Sequence, residues 1–411
     1  MGGLTTINTG DTAFVLICAA LVALMTPGLA FFYGGLVRRK NFLAIMMQSF
    51  ISMGVVTTIW VFFGYSLAFS GDIGGVFGNL HWAMLTGVAH LPGPWAPNIP
   101  AQAHFVYQEM FAIITPALIT GAFADRVKFK SYLWFLVLWS IIVYIPFVHW
   151  IWGGGWLMQH GVLDFAGGLV VHVSAGFAAL ASVFVVGRRK YGPGERGLPH
   201  NVAFVALGTG LLWFGWFGFN AGSALAANGI AAQAFVNTDI AGSIAMCTWL
   251  AISWRHDGKP SLVGALTGAV AGLACVTPCA GYIPTWAAFI VGLLAGSVCY
   301  TAVIFVKRMK WDDALDVWAA HGVGGFMGTI LLGVFALKSV NPAGADGLIT
   351  GNWTFFGWQV LATIVCAAYA FIATFLILKL IGLFMEIRVP DSVELRGLDE
   401  TEFGEAAYDL T

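Results

Sequence analysis

The stretch "DFAGGLVVHVSAG", residues 164–176, places an imidazole inside a glycine-rich apolar run that continues "FAALASVFVVGRRK" to residue 190. A run of this length can cross a bilayer, which takes about 20 apolar residues. Hydrocarbon offers His172 nothing to bond to. Ionisable groups inside spans are costly and usually face a cavity or a pathway. A second stretch, "DVWAAHGVGGFMG" (316–328), again sets a histidine, His321, among small residues behind an aspartate. A single such residue can be a core histidine bonded to a neighbouring carbonyl. A pair in corresponding places points instead to relay work, since one ring nitrogen can accept while the other donates.

The rest of the chain supports membrane residence. Hydrophobic residues make up 59% and charged residues 9%, against about 25% charged in soluble domains. The mean hydropathy is +0.83. Fifty-two glycines suit helices that pack through small residues. A net charge of −1 gives no electrostatic case for nucleic acid. The six cysteines lie in apolar runs without zinc-site spacing, so buried thiols are expected and no metal or cofactor is implied.

Eleven spans are expected, near 11–34, 42–70, 104–124, 132–152, 164–187, 201–220, 230–254, 261–280, 284–306, 317–337 and 356–384. The N-terminus lacks the basic region of a signal peptide, so the first run is read as a span. Fifteen of the nineteen Lys and Arg fall in alternate loops, at 38–40, 125–131, 188–196, 255–259 and 307–310. The positive-inside rule puts those loops in the cytoplasm, the N-terminus outside and the C-terminus inside. An odd number of spans is needed for that, and eleven is odd. The outer loop 71–103, rich in Gly, Pro and Trp, reads as an external cap or as an ordinary loop with interfacial aromatics.

The fold class is therefore all-α and polytopic: two inverted five-helix repeats (about 11–187 and 201–337), a long last helix (about 356–384) and a cytoplasmic tail, 385–411. His172 and His321 stand in the fifth span of each repeat, and inverted repeats with functional groups at their interface are a common transporter plan. The Asp-to-His spacing differs, 164 to 172 against 316 to 321, so the repeat rests on position.

Asp164 reads either as an N-cap for the fifth span or as a fixed negative charge beneath a cation site. "VYQEMFAIITP" (106–116), "HWIWGGGW" (149–156) and "LWFGWFGFNAGSA" (212–224) cluster aromatics with Asn220 and Ser223 at the outer ends of three spans. They read as an aromatic belt or as a small-cation site, where a dehydrated cation on one ring gains about 2 kcal/mol. One ring cannot repay dehydration, so several must converge. Mid-span Lys and Arg are absent from the sequence, as are a TVGYG filter, a GxxxxGK[ST] loop and an HExxH motif. These absences argue against a retinal protein, a potassium channel, an ATP-driven pump and a zinc hydrolase. A membrane receptor and a membrane enzyme remain as rival classes, the latter without a visible nucleophile–base set.

"PGLAFFYGGLVRRKN" (27–41), the stretch at 164–176, "GWFGFNAGSA" (215–224), "DGKPSLVGALTGAVAGLACVTPCAGYI" (257–283) and "HGVGG" (321–325) together resemble the Amt/MEP/Rh ammonium transporters, on the Amt side. The resemblance runs from the first span into the tail. It implies a homotrimer in the cell (plasma) membrane with one pore per subunit, and ammonium or ammonia as substrate, with methylammonium as analogue. It implies an outer ammonium site of Phe111, Trp152 and Ser223, and a gate of Phe111 and Phe219 with Trp216 and Tyr107 near by. The pore would be lined by His172 and His321, with Asp164, Asn220, Thr277 and Phe32 as further pore positions. Tyr107 stands where a phenylalanine is expected. With Glu109 it would draw cations to the mouth or face a subunit contact. The complete Trp152–Ser223 pair disfavours an Rh-type channel. A tail that couples subunits and a PII-type regulator at the cytoplasmic face are implied by the same resemblance.

Overall fold

The computed structural model describes residues 7–193, 195 and 197–408. The long apolar runs form helices as the sequence reading expects. In chain order they are α1 (Thr9–Leu36), α2 (Arg39–Phe69), α3 (Ala101–Ala122), α4 (Phe129–Gln159), α5 (Gly168–Val186), α6 (Val202–Ala224) and α7 (Gly229–Asp257). They continue as α8 (Leu262–Val276), α9 (Thr285–Arg308), α10 (Trp318–Phe335) and α11 (Trp353–Phe384). Ten are long and apolar enough to cross a membrane. This is a multi-pass membrane protein.

The eighth span is the exception. It was expected over 261–280, yet α8 has 15 residues, about 22 Å at 1.5 Å per residue and short of a ~30 Å core. Pro278 lies just past its end, where a helix is not readily continued. The chain proceeds as buried turns, and the Pro278 carbonyl accepts from the Phe165 N–H at 2.9 Å. Phe165 belongs to the irregular lead-in to α5. Non-helical backbone at membrane depth is tolerated only inside protein, and here two such pieces satisfy each other.

Glycines set the closest approach between the histidine-bearing helices. A Cβ on Gly176 of α5 would lie 2.1 Å from the Gly322 backbone of α10. A Cβ on Gly325 would lie 2.7 Å from the Cβ of His172. Larger residues at these crossings would drive α5 and α10 apart. The outer loop carries a small hairpin, Pro92–Gly93 with Ala96–Pro100. Its Trp95 indole donates to the Phe69 carbonyl at 2.7 Å, so part of this loop is fixed against α2. The tail folds back on its own protomer: the Asp399 carboxylate accepts the Leu43 and Ala44 N–H groups near the start of α2. Five cysteines are buried as expected, but Cys247 on α7 is exposed.

Candidate functional site

Both histidines sit on a π-helical turn at the start of their helix, Gly168–Val173 in α5 and Trp318–Val323 in α10. Such wide turns are rare and recur at functional sites. The lead-in turns also match. Asp164 caps α5, its carboxylate accepting from the N–H groups of Gly167, Gly168, Leu169 and Val170 at 2.8, 2.7, 2.7 and 3.2 Å. In α10 the cap is Asp313, which accepts from Trp318 N–H at 2.7 Å and also from Val317. The third residue after each capping aspartate has positive φ, Gly167 at 116° and Asp316 at 57°. Asp316 is thus the counterpart of Gly167, and the alignment of Asp164 with Asp316 is corrected. With Asp313 in its place, both histidines follow their aspartate by eight residues. The spacing mismatch disappears.

Between α1, α3, α5, α6, α8 and α10 lies a narrow cavity, hereafter the conduit, which both histidines line. Apart from them and the Trp216 indole its walls are apolar, including Leu29, Phe32, Ile114 and Leu118. It offers about 10 Å³ to a water-sized occupant, near the ~10–15 Å³ that one water needs. The rings of His172 and His321 face each other with Nδ1 atoms 3.2 Å apart and centroids 5.2 Å apart at 22°. One Nδ1 must therefore donate to the other. With both rings neutral, the donor ring keeps a bare Nε2 and the acceptor ring a protonated one. The Nε2 of His172 has no partner among the described residues. An occupant of the conduit thus finds a proton acceptor on one ring and a donor on the other.

Above the conduit lies an outer cavity of about 330 Å³, walled by Phe111, Trp152, Ser223, Trp95, His104 and Gln108 among others. Phe111 and Phe219 separate the two spaces, with ring centroids 4.2 Å apart and planes 34° apart. Phe111 lines the outer cavity and Phe219 the conduit. Trp152 stands perpendicular to Phe111 at 6.0 Å, its indole N–H donating to the Asp164 carbonyl at 2.7 Å. The Ser223 hydroxyl donates to the Phe219 carbonyl at 2.9 Å. Its proton is occupied, so toward the cavity the oxygen offers lone pairs. The cavity presents ring faces and an acceptor, a set that suits a small cation with N–H bonds.

The chain matches the Ammonium Transporter Family model over residues 13–408. It is 46% identical over 400 residues to the ammonium transporter of Bacillus subtilis, covering 97% of this chain and 98% of that one.

The chain belongs to the ammonium transporter family.

Amt1 of Archaeoglobus fulgidus is 44% identical across 97% of this chain and 99% of its own length. Among solved structures, Candida albicans Mep2 superposes with a TM-score of 0.88 at 34% identity, covering 94% of this chain and 87% of Mep2. A protein titled Sensor Amt Protein superposes at 0.87 with 28% identity, over 96% of this chain and 98% of its own.

Set against the expectations for an ammonium transporter, Phe111, Trp152, Ser223, Phe219, Trp216, Phe32, His172 and His321 all come to the two cavities. Tyr107 is buried beside the ring pair, its ring centroid 5.0 Å from that of Phe111, its hydroxyl donating to the Phe219 carbonyl at 2.8 Å and lying 3.2 Å from the Ser223 oxygen. It neither reaches the mouth nor faces outward, because that carbonyl holds it. Glu109 points to Thr57 of α2, away from both cavities. Thr277 does not line the conduit: its hydroxyl accepts the Trp216 indole N–H at 2.9 Å and so fixes the ring stacked on His172. Asn220 faces α7, donating to Thr238 at 2.9 Å. Asp164 spends its carboxylate on the α5 cap while bordering the outer cavity. His104 and Gln108 were missed. Their spacing to Phe111, i, i+4 and i+7, marks one helical face and would have found them.

Proposed function

We propose that this chain carries ammonium across the membrane by separating it into ammonia and a proton. Ammonium is held at the outer cavity by the faces of Phe111 and Trp152 and by the Ser223 oxygen. Losing its proton, it passes the Phe111–Phe219 pair as ammonia, because a charged ion in the apolar conduit would face a large desolvation cost. The proton follows along His172 and His321, which makes transport electrogenic. The observation that carries this reading is the Nδ1–Nδ1 contact of 3.2 Å in an otherwise apolar conduit with room for about one water. Methylammonium, sharing the N–H donors, is taken as an analogue. The functional unit is a homotrimer with one conduit per subunit, and a PII-type protein docking at the cytoplasmic face is its regulator. An ammonium jump on proteoliposomes tests the function, with an inward current expected for ammonium and none for potassium. No current and no pH change would favour a receptor, in line with the likeness to the Sensor Amt Protein.

A further inference from the structure

His149 is fully buried in α4, three residues before Trp152. Both of its ring nitrogens meet an oxygen. Nδ1 lies 2.9 Å from the Ala68 carbonyl oxygen in the last turn of α2. Nε2 lies 3.0 Å from Oδ1 of Asp72, in the loop that follows. A carbonyl oxygen can only accept, and so can an ionised carboxylate. Neutral imidazole carries a single N–H and would set a bare nitrogen against one of these oxygens. Both contacts are hydrogen bonds only when the ring carries two protons. Asp72 is 38% exposed, so water keeps its carboxylate ionised, and the bond from His149 holds that carboxyl below its ordinary 3.8.

Among the described residues Asp72 is the one ion-pair partner of His149. The other titratable groups on the surrounding elements face elsewhere. Asp164 turns to the α5 N–H groups, His104 to the Tyr65 hydroxyl, His160 to the Trp156 carbonyl and the Tyr369 hydroxyl to the Ile142 carbonyl.

The ring sits where three pieces of the outer wall meet. The His149 carbonyl accepts the N–H groups of Gly153 and Gly155, at 3.1 and 2.8 Å, which closes the break in α4 just after Trp152. A Cβ on Gly153 would lie 1.8 Å from the Ala68 carbonyl oxygen, the same oxygen that accepts from the His149 ring. Asp72 Oδ1 also accepts from the Gly75 N–H at 2.8 Å. The Gly75 carbonyl in turn accepts from the Trp156 N–H at 3.0 Å. One imidazole thus joins the end of α2, the 72–75 turn and the α4 break. Trp152, perpendicular to Phe111 at 6.0 Å, is carried by that junction.

We propose that His149 is held as an imidazolium by Asp72 and acts as a positioning residue for the outer cation cavity. It touches no substrate. The carboxylate beside it compensates its charge, so it fixes the wall without opposing a cation. When the ring is neutral, one of its two contacts is lost, the α4 break loosens and Trp152 no longer keeps its angle to Phe111. Cation capture therefore weakens as the outer medium turns alkaline. The functional part of this rests on the outer cavity being the ammonium site, as proposed above.

Solid-state NMR of the full chain in bilayers, with nitrogen-15 histidine and carbon-13 aspartate, reads the ring directly. An Nε2 signal that correlates with an aspartate carboxylate belongs to His149, because His256 meets Asp257 through Nδ1. Both nitrogens of that ring are expected protonated at neutral pH. A neutral tautomer, or no such correlation, would overturn the assignment. Asp72→Asn, at a partly exposed position, should abolish the imidazolium signal, and its persistence would remove the role given to the carboxylate. Methylammonium uptake by proteoliposomes, at fixed cation concentration and varied outer pH, reads the consequence. In the wild type the half-saturating concentration should rise about tenfold from neutral to alkaline pH, the loss of one charge-assisted hydrogen bond. Asp72→Asn should show the raised value already at neutral pH. A half-saturating concentration that ignores pH, or a variant that loses only maximal rate, would contradict positioning. No uptake by the wild type would sink the transport reading alone, and the spectrum would still decide the charge on the ring.

Discussion

The lead-in turns of α5 and α10 are built to one plan and loaded differently. Each has an aspartate cap, a positive-φ residue three positions on and a histidine eight positions on. At α5 the cap satisfies four N–H groups and the positive-φ residue is glycine. At α10 the hydrogen-bonded N–H groups are those of Val317 and Trp318, one Asp313 carboxylate oxygen has no partner, and an aspartate occupies the positive-φ position. The shared geometry delivers two imidazoles to one conduit from opposite ends. The unequal loading means that the α5 turn, which also borders the outer cavity, is the structural anchor, and the α10 turn is the more easily altered half.

Mutation can break this asymmetry. Asp164→Ala strands four buried N–H groups, each costing roughly 1–3 kcal/mol when unsatisfied. Little folded protein is expected, measured as the monodisperse fraction after extraction. Asp313→Ala strands fewer donors and should cost about 2 kcal/mol, leaving a folded protein with a lower melting temperature. Equal losses for the two variants would remove the ranking. A smaller effect concerns pH. Burial, with Asp316 beside it, pushes the Asp313 carboxyl, just outside α10, up to about 7 from an ordinary 3.8. The native state then binds this proton more tightly than the unfolded chain, so the group stabilises the fold at low pH. That contribution is lost as pH rises from about 4 through about 7. Asp313→Asn should remove this slope from melting temperature against pH, and an unchanged slope would assign it to another group.

How much of this was legible in the sequence follows from what each signal measures. The long spans were legible because crossing a bilayer demands apolar length. The short α8 was not, since apolar residues continue beyond Val276 while Pro278 ends the helix. His172 and His321 stood out because polar residues are rare at that depth. Residue type alone placed Thr277 and Asn220 in the pore, but orientation depends on helix register and neighbours, and both turn to hold other elements. Asp313 was overlooked because "DDALD" offers three aspartates, and only the backbone geometry shows which one caps. The apolar conduit walls cannot be told from ordinary core by type. Cys247 lies in an apolar run like the other five cysteines, and only the packing of α7 shows that it is exposed.

The histidine pair as proton path is tested most directly by ammonium-driven current through His172→Leu in proteoliposomes, at matched protein density and with folding verified by size. The current should fall to less than about a tenth of the wild-type value. Undiminished current that still discriminates ammonium from potassium would contradict it.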